Sequence, residues 1–552
     1  MVSVATQADT SVHHGGRVLI RALAAQGVKR VFAIPGESFL AALDGLYDSA
    51  LELVVCRQEG GAAMMAEAHG KVTGMPGVAF VTRGPGATNA SAGVHIAFQD
   101  STPMVLFVGQ VAREQRDREA FQEVDYRAMF GPLAKWTAEI EVTERIPEYV
   151  SHAFHVAASG RPGPVVLALP EDMLSAPCEA EPAAAATPVL HGPSAGEIDG
   201  ILAALSQARE PLVIVGGGGW SAGASEALAK FAGAWDLPIG ASFRCQDYLD
   251  NDLPHYVGDV GIGINPKLSD RVRRADLLLA LGPRLGEMTT SGYTLLSVPQ
   301  PRQRLVHVHA DPNELGRVYR PSLAVAASPA TTVIALSEHA PRAPIVWSRH
   351  RAEARADYEA WQKPQATPGE LQMEEVIAHL NEVLPRDAIL TNGAGNYSAW
   401  LHRYYRYGSF RTQLAPTSGS MGYGLPAAIA AKLQDPDREV VCLAGDGCFQ
   451  MTCQEFGTAC EVGANIIVLL VNNGRYGTIA MHQERNYPGR PSGTAMKNPD
   501  FAAWARSYGA FGETVSENAA FPAALARARA AGVPAILDLK TDPSAISPRT
   551  PR

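Results

Sequence analysis

Two oxygen-bearing side chains, Asp446 and Asn473, stand 27 positions apart in EVVCLAGDGCFQMTCQEFGTACEVGANIIVLLVNNGRYG, residues 439–477. Residues 440–444 form an apolar run that ends in Gly445-Asp446-Gly447. Residues 449–462 have helical spacing, and residues 466–471 form a second apolar run ending in Asn472-Asn473. In a strand–helix–strand unit both strands finish on one sheet edge, which brings Asp446 close to Asn473. A carboxylate, an amide oxygen and a nearby backbone carbonyl make an all-oxygen partial shell. Such a shell suits Mg²⁺, which keeps some water and takes its remaining ligands from substrate phosphates. Gly445 and Gly447 let the backbone approach those phosphates, and the following helix N-terminus favours their charge. A lone Gly-Asp-Gly is an ordinary strand-to-helix turn. The second ligand, one helix and one strand later, makes the pattern specific for a Mg²⁺–diphosphate.

With these residues in place, the segment resembles the thiamine diphosphate motif. The chain is similar to the acetolactate (acetohydroxyacid) synthase and pyruvate oxidase group, from GGRVLIRALAAQG at residue 15 to GAFGETV at residue 515. The resemblance implies thiamine diphosphate and Mg²⁺ as cofactors, with Asp446, Asn473 and the carbonyl of Arg475 as metal ligands. Glu59, in CRQEGG, matches the glutamate that hydrogen-bonds the pyrimidine N1′ and so promotes loss of the thiazolium C2 proton. Taken alone it would read as a helix-start acid favoured by the dipole. Met421, in TSGSMGYGLPAA, matches the bulky residue wedged beneath the bent cofactor, and Gly419 the carbonyl that holds its 4′-amino group. Asn396 and Tyr397 fall where the synthases contact the diphosphate, and Phe121 and Gln122 where they line the substrate pocket. TRGPGATN, residues 82–89, resembles the family's glycine-rich turn. The family's arrangement implies that Glu59 and Asp446 serve one cofactor from two chains. That makes a homodimer the minimum unit and is compatible with a homotetramer.

The chain departs from the synthases where they choose substrates. Thr478 and His482 replace a Met and a Trp, Met288 stands where an Arg grips the substrate carboxylate, and Arg284 fits only an upstream Arg. Glu171 stands where many synthases carry Lys. In IPGESF, Glu37 replaces the second glycine of Pro-Gly-Gly, and simple 2-oxo acid decarboxylases carry an acid there. Glu37 is either a proton relay or a helix N-terminal acid. His95 and Gln99 either supply pocket polarity or pack in a helix. The expected first half-reaction is addition of a 2-oxo acid such as pyruvate, then loss of CO₂. The second half is open between ligation to a carbonyl acceptor, as in acetolactate synthase, and the non-ligating decarboxylase or C–C lyase outcome. A non-catalytic thiamine diphosphate-binding protein is the reading of another class, and Glu59 and Met421 argue against it.

The elements that must position these residues alternate strand with helix, which predicts α/β architecture in three doubly wound parallel-sheet domains. These are a pyrimidine-binding domain at 1–178, a central domain at 190–345 and a diphosphate- and Mg²⁺-binding domain at 365–552. VFAIPG, LELVVC, GVAFVT and MVLFVG read as strands of the first, and GRPGPVVLALPEDM as its closing segment. PLVIVGGGG, LPIGAS, ADLLLALG and RLVHVHAD read as strands of the second, and DAILTN, EVVCLAG and NIIVLLVNN as strands of the third. Residues 176–196 and 338–372 read as connectors. Gly217-x-Gly219-x-x-Ala222 permits a dinucleotide, but the acid that NAD requires is missing. The relatives place FAD in this domain, which leaves FAD open. His307 and His309 share a strand face without a third ligand, so ordinary packing is expected. HRYYRYG, residues 402–408, reads as a subunit contact or solvated face.

At 552 residues the chain exceeds one hydrophobic core. Its 47 basic and 56 acidic residues, net −9, exclude a general polyanion binder, so no nucleic acid partner is expected. No apolar run reaches the roughly 20 residues a membrane span needs. The first 16 residues lack a basic start and an apolar core, and a soluble cytoplasmic protein is expected. Seven cysteines without paired spacing fit a reducing compartment and argue against disulfides or structural zinc.

Overall fold

The computed structural model describes residues 13–548. The reading of the first 16 residues falls mostly on residues 1–12, which lie outside the described residues. Among the described residues eighteen strands form three six-stranded sheets, and these strands pair only in parallel.

The first sheet holds β1 (Arg30–Ala33), β2 (Glu52–Val55), β3 (Gly77–Val81), β4 (Met104–Gln110), β5 (Trp136–Glu139) and β6 (Pro164–Pro170), in the order 2-1-3-4-6-5. The second holds β7 (Pro211–Val215), β8 (Ile239–Ser242), β9 (Tyr256–Val260), β10 (Leu277–Leu281), β11 (Arg304–Val308) and β12 (Leu323–Val325). Its order, 9-8-7-10-11-12, is that of the dinucleotide-binding doubly wound fold. The third holds β13 (Ile389–Asn392), β14 (Gln413–Leu414), β15 (Val440–Gly445), β16 (Ile467–Asn472), β17 (Phe511–Val515) and β18 (Ala535–Lys540). Its order, 14-13-15-16-18-17, repeats that of the first sheet position for position. The first and third units therefore share a topology.

Interior strands such as β4, β7 and β15 are buried at every residue because helices cover both sheet faces. The strands that carry no readable apolar run, β5, β9, β12, β14 and β17, are all sheet edges. One apolar cluster runs from the first domain into the third. It joins Ala62, Ala63 and Ala66 of the helix Glu59–Thr73 to Ala427, Ala428 and Ala431 of the helix Gly424–Gln434. Small side chains on both helices let their backbones come close.

Three expectations are corrected. The single helix expected at 449–462 is two, Asp446–Phe449 and Glu455–Glu461. The break lets Thr452 donate its hydroxyl to the Gly422 carbonyl at 2.6 Å. The connector expected at 338–372 contains the helix Ser348–Trp361, anchored by Tyr358 against Tyr256 and by an Arg271–Asp357 ion pair. Its Arg349–Glu353 and Arg355–Glu359 pairs give it the polar surface that hid it. The segment 402–408 is not a solvated face: Tyr404, Tyr405 and Tyr407 are packed into the third domain's core, and the Arg403 guanidinium lies over the Trp361 ring.

His307 and His309 are buried, and each hydrogen-bonds a backbone carbonyl. All seven cysteines are free thiols. Among the described residues no helix is long and apolar enough to cross a membrane.

Candidate functional site

In a doubly wound sheet the crevice for a ligand opens where the strand order reverses, beyond the carboxyl ends of the two strands involved. In the third sheet those strands are β13 and β15. The loop after β13 carries Asn396 and Tyr397, and β15 runs directly into Gly445-Asp446-Gly447. A cavity of about 250 Å³ lies there. It is lined by Asp446, Gly445 and Gly447, by Asn396 and Tyr397, by Gly419 and Met421, and by Asn473 and Arg475. These residues come from four loops of one domain.

Asp446 is 3% exposed. Its Oδ1 accepts the Gly447 N–H at 2.8 Å, and its Oδ2 accepts the Gly474 N–H at 2.8 Å and the Asn498 amide at 2.7 Å. Burial raises its pKa, against the pull of these donors. Among the described residues no cationic side chain pairs with it, so a buried carboxylate faces the cavity with its charge uncompensated. A divalent cation supplies what this arrangement lacks. Asn473 closes the turn after β16 by accepting the Arg475 N–H at 3.1 Å, with Gly474 at φ +66°. The Arg475 carbonyl takes the Gly477 N–H at 2.9 Å, which leaves it a second lone pair. Asp446, Asn473 and Arg475 thus line one cavity, and their oxygens have the chemistry that fits Mg²⁺.

Gly445 and Gly447 cannot be larger. A Cβ would come within 2.7 Å of the Tyr397 ring at the first and 2.6 Å of the Tyr476 ring at the second. Tyr397 donates its hydroxyl to Cys448 Sγ at 3.1 Å and accepts the Gly393 N–H at 3.1 Å. Asn396 is held by its own N–H, which donates to Thr478 Oγ1 at 2.9 Å.

Glu59, Glu37 and Gln122 lie elsewhere. They occupy the corresponding edge of the first sheet, where β1 and β3 flank the reversal. Glu59 opens the helix Glu59–Thr73, whose N-cap Gln58 accepts the Gly61 N–H at 3.1 Å. Its carboxylate accepts the Asn89 amide at 3.0 Å and faces Gly86, where a Cβ would be 3.3 Å from Oε1. Gln122, at φ +65°, packs against Gly84 in the turn after β3. Glu37 is exposed in the turn after β1. None of the three lines the Asp446 cavity, whose lining comes entirely from residues 367–546. Leu40 and Phe121 beside these positions, and Met451 and Ile479 beside the Asp446 cavity, are exposed over about half of their surface or more, 48% to 75%.

A second cavity of about 1180 Å³ lies among all three domains and shares Gly395, Asn396, Gly419 and Thr478 with the first. Gly217 and Gly219 line it after β7, with φ +75° and +80°, and Arg284 lines it after β10. Gly219 faces open space, whereas a Cβ at Gly218 would strike the Ser101 carbonyl at 2.3 Å. Met288, His95, Gln99 and His482 also line this cavity, and Gln99 accepts from Arg284 at 3.2 Å. Glu171 is paired with Arg83 at 2.8 Å, away from both cavities.

Sequence reading missed Asn498 and Arg244. Asn498 binds Asp446 from 52 residues away, and no motif marks it. Arg244 reaches the same region from another domain.

Three family descriptions match the chain: thiamine pyrophosphate enzyme N-terminal TPP binding domain at residues 13–129, central domain at 198–336 and C-terminal TPP binding domain at 393–539. The acetolactate synthase isozyme 2 large subunit of Escherichia coli K12 is 31% identical over 515 residues, 93% of this chain and 92% of that protein. The acetolactate synthase large subunit of Parasynechococcus marenigrum WH8102 is 32% identical over 542 residues, 95% of this chain and 87% of that protein. The E. coli isozyme 3 large subunit is 32% identical over 91% of this chain and 90% of its own length. With three matching domains in the right order and relatives that span nearly its whole length, this chain belongs to the thiamine pyrophosphate enzyme family.

Proposed function

We propose that this protein is a thiamine diphosphate- and Mg²⁺-dependent enzyme that decarboxylates a pyruvate-like 2-oxo acid and transfers the remaining acyl unit to a carbonyl acceptor, a reaction that can yield the acetolactate of its relatives' names. The observation that carries the reading is Asp446: a buried carboxylate without a cation, set among Asn473, Gly445 and Gly447 at the sheet's switch point. When bound, thiamine diphosphate supplies a nucleophilic carbon that adds to the 2-oxo acid and takes up the electrons released with CO₂. Asp446, Asn473 and the Arg475 carbonyl would hold the metal. Asn396 and Tyr397 would contact the diphosphate. The Gly419 carbonyl would accept from the 4′-amino group, and Met421 would keep the two rings in a bent arrangement. Glu59 would hold a proton at N1′, and Gln122 and Glu37 would face the substrate.

On this reading the two switch-point edges meet only when two chains associate. The exposed Leu40 and Phe121 beside one edge, and Met451 and Ile479 beside the other, supply apolar surface for that contact. A homodimer is then the smallest active unit, and pairing of dimers gives a homotetramer. The larger cavity, with its dinucleotide-type strand order and open Gly219, is where an FAD would sit. Purified protein that releases FAD on denaturation supports that assignment, and protein that releases none removes it.

Product analysis tests the reaction. Holoprotein given pyruvate is expected to form acetolactate. Acetaldehyde alone would make it the non-ligating decarboxylase, and the replacement of the synthases' pocket residues by Thr478, His482 and Met288 is what favours that second reading. Failure to bind thiamine diphosphate with Mg²⁺ in calorimetry would remove both.

A further inference from the structure

Arg244 follows β8 in the central domain, yet it ends in the third. It is 7% exposed, has φ +63°, and has no carboxylate within ion-pairing distance among the described residues. Its guanidinium lies over the Phe243 ring at 4.8 Å. One terminal nitrogen donates to the Pro416 carbonyl, and the other donates to the Gly393 carbonyl at 2.9 Å. These carbonyls begin the two loops that carry Gly419 and Tyr397. The Pro416 carbonyl also accepts the Gly419 N–H at 3.0 Å. Gly393 also gives its N–H to the Tyr397 hydroxyl at 3.1 Å. Arg244 is thus joined to Gly419 through one shared carbonyl and to Tyr397 through one residue, and both line the Asp446 cavity.

Taking a lone cation out of water is costly unless its donors are well used. A planar fork that bonds two carbonyls on separate loops uses its two terminal nitrogens in a way the single point charge of a lysine cannot reproduce, while its buried Nε has no partner. The first domain grips the same loop from its other side: Asp100 accepts both the N–H and the hydroxyl of Thr417, at 2.8 and 2.5 Å. Loop 416–421 is therefore held by all three domains.

We propose that Arg244 is a positioning residue of the cofactor site. It sets Gly419 and Tyr397 relative to one another, so that cofactor geometry depends on how the central domain is seated. The inference rests on the reading of this cavity as the thiamine diphosphate site.

The test uses the full-length protein with thiamine diphosphate and Mg²⁺, and compares Arg244→Met, Arg244→Lys and Arg244→Ala with and without added guanidinium. Loss of a charge-assisted hydrogen bond at each loop predicts a kcat about 10- to 100-fold lower in Arg244→Met, with substrate KM little changed. The near-ultraviolet circular dichroism of the bound cofactor is expected to change as well. Arg244→Lys should recover part of the loss, and guanidinium should partly rescue Arg244→Ala, which a merely structural defect would not allow. If Arg244→Met does not fold, the lysine variant and the guanidinium rescue decide. Folded variants with the wild-type spectrum and kcat would overturn the inference alone. A wild-type protein that binds no thiamine diphosphate would overturn the reading beneath it and the inference with it.

Discussion

Because Glu59 and Asp446 lie on different sheet edges of one chain, inactivating them separately asks whether two chains build each site. Glu59→Gln preserves shape and keeps an oxygen to accept the Asn89 amide, now at 3.0 Å, so the fold should not change. It removes only the acid, for which losses of about 10²- to 10⁴-fold are usual. Asp446→Ala deprives Gly447, Gly474 and Asn498 of their acceptor. Each buried donor left unpaired costs about 1–3 kcal/mol, so this variant is first checked by circular dichroism for folding. Each variant alone should be nearly inactive. In a mixed dimer one site receives both mutations and the other receives neither. Random pairing of equal amounts makes half the dimers mixed, each with one of two sites intact, so about one quarter of wild-type activity should return under two-fold symmetry. The assay is co-expression with two affinity tags, purification of the doubly tagged species, and measurement of CO₂ release from pyruvate. That doubly tagged species should have about half the wild-type rate. A mixed dimer no more active than its parents would refute the two-chain site.

Stability should fall on acidification. Burial lowers the pKa of His69 to about 4, of His307 to about 4 and of His402 to about 3, from an ordinary 6.5. Folded, these rings stay neutral; unfolded, they take up protons below pH 6.5, so the unfolded state binds more protons and stability drops as pH falls from about 6.5 towards 4. Asp247, raised to about 6 by burial, acts in the opposite direction, since the folded state keeps its proton longer than the unfolded one. Burial also lowers His255, His309 and His350, and it raises Asp259, Glu67, Asp446 and Glu455, so six histidines that lose stability on acidification stand against five acids that gain it. Each ring held neutral costs about 1.4 kcal/mol per pH unit below 6.5. Urea midpoints that do not change between pH 7 and 5 would refute this, and His402→Gln should flatten the profile. Gly16→Ala should destabilise by about 1–3 kcal/mol or more, because its Cβ would meet the Ala41 carbonyl at 2.0 Å where two helices cross. An unchanged thermal midpoint would show that the crossing can relax.

Much of the third domain's cavity was legible because its residues sit at strand ends. A strand's apolar run announces where the chain leaves the sheet, and Asp446 and Asn473 follow two such runs directly. The same logic marks the turns that carry Glu37, Glu59 and Gly84. Five edge strands escaped notice because they carry no continuous apolar run, β9 and β14 even though they are buried, and the helix Ser348–Trp361 escaped because its ion pairs hide its amphipathic face. Asn498 and Arg244 were invisible for another reason. Each bonds a residue or loop of the cavity across many residues or from another domain, and no local spacing encodes such a contact. The repeated strand order of the first and third sheets was equally out of reach, since periodicity specifies that a strand exists but not which strand lies beside it. Local spacing thus announces chemistry wherever one strand end supplies it. The neighbours that hold that chemistry in place come from packing between domains, because long-range contacts are chosen by the shape and burial of surfaces that exist only once the chain has folded.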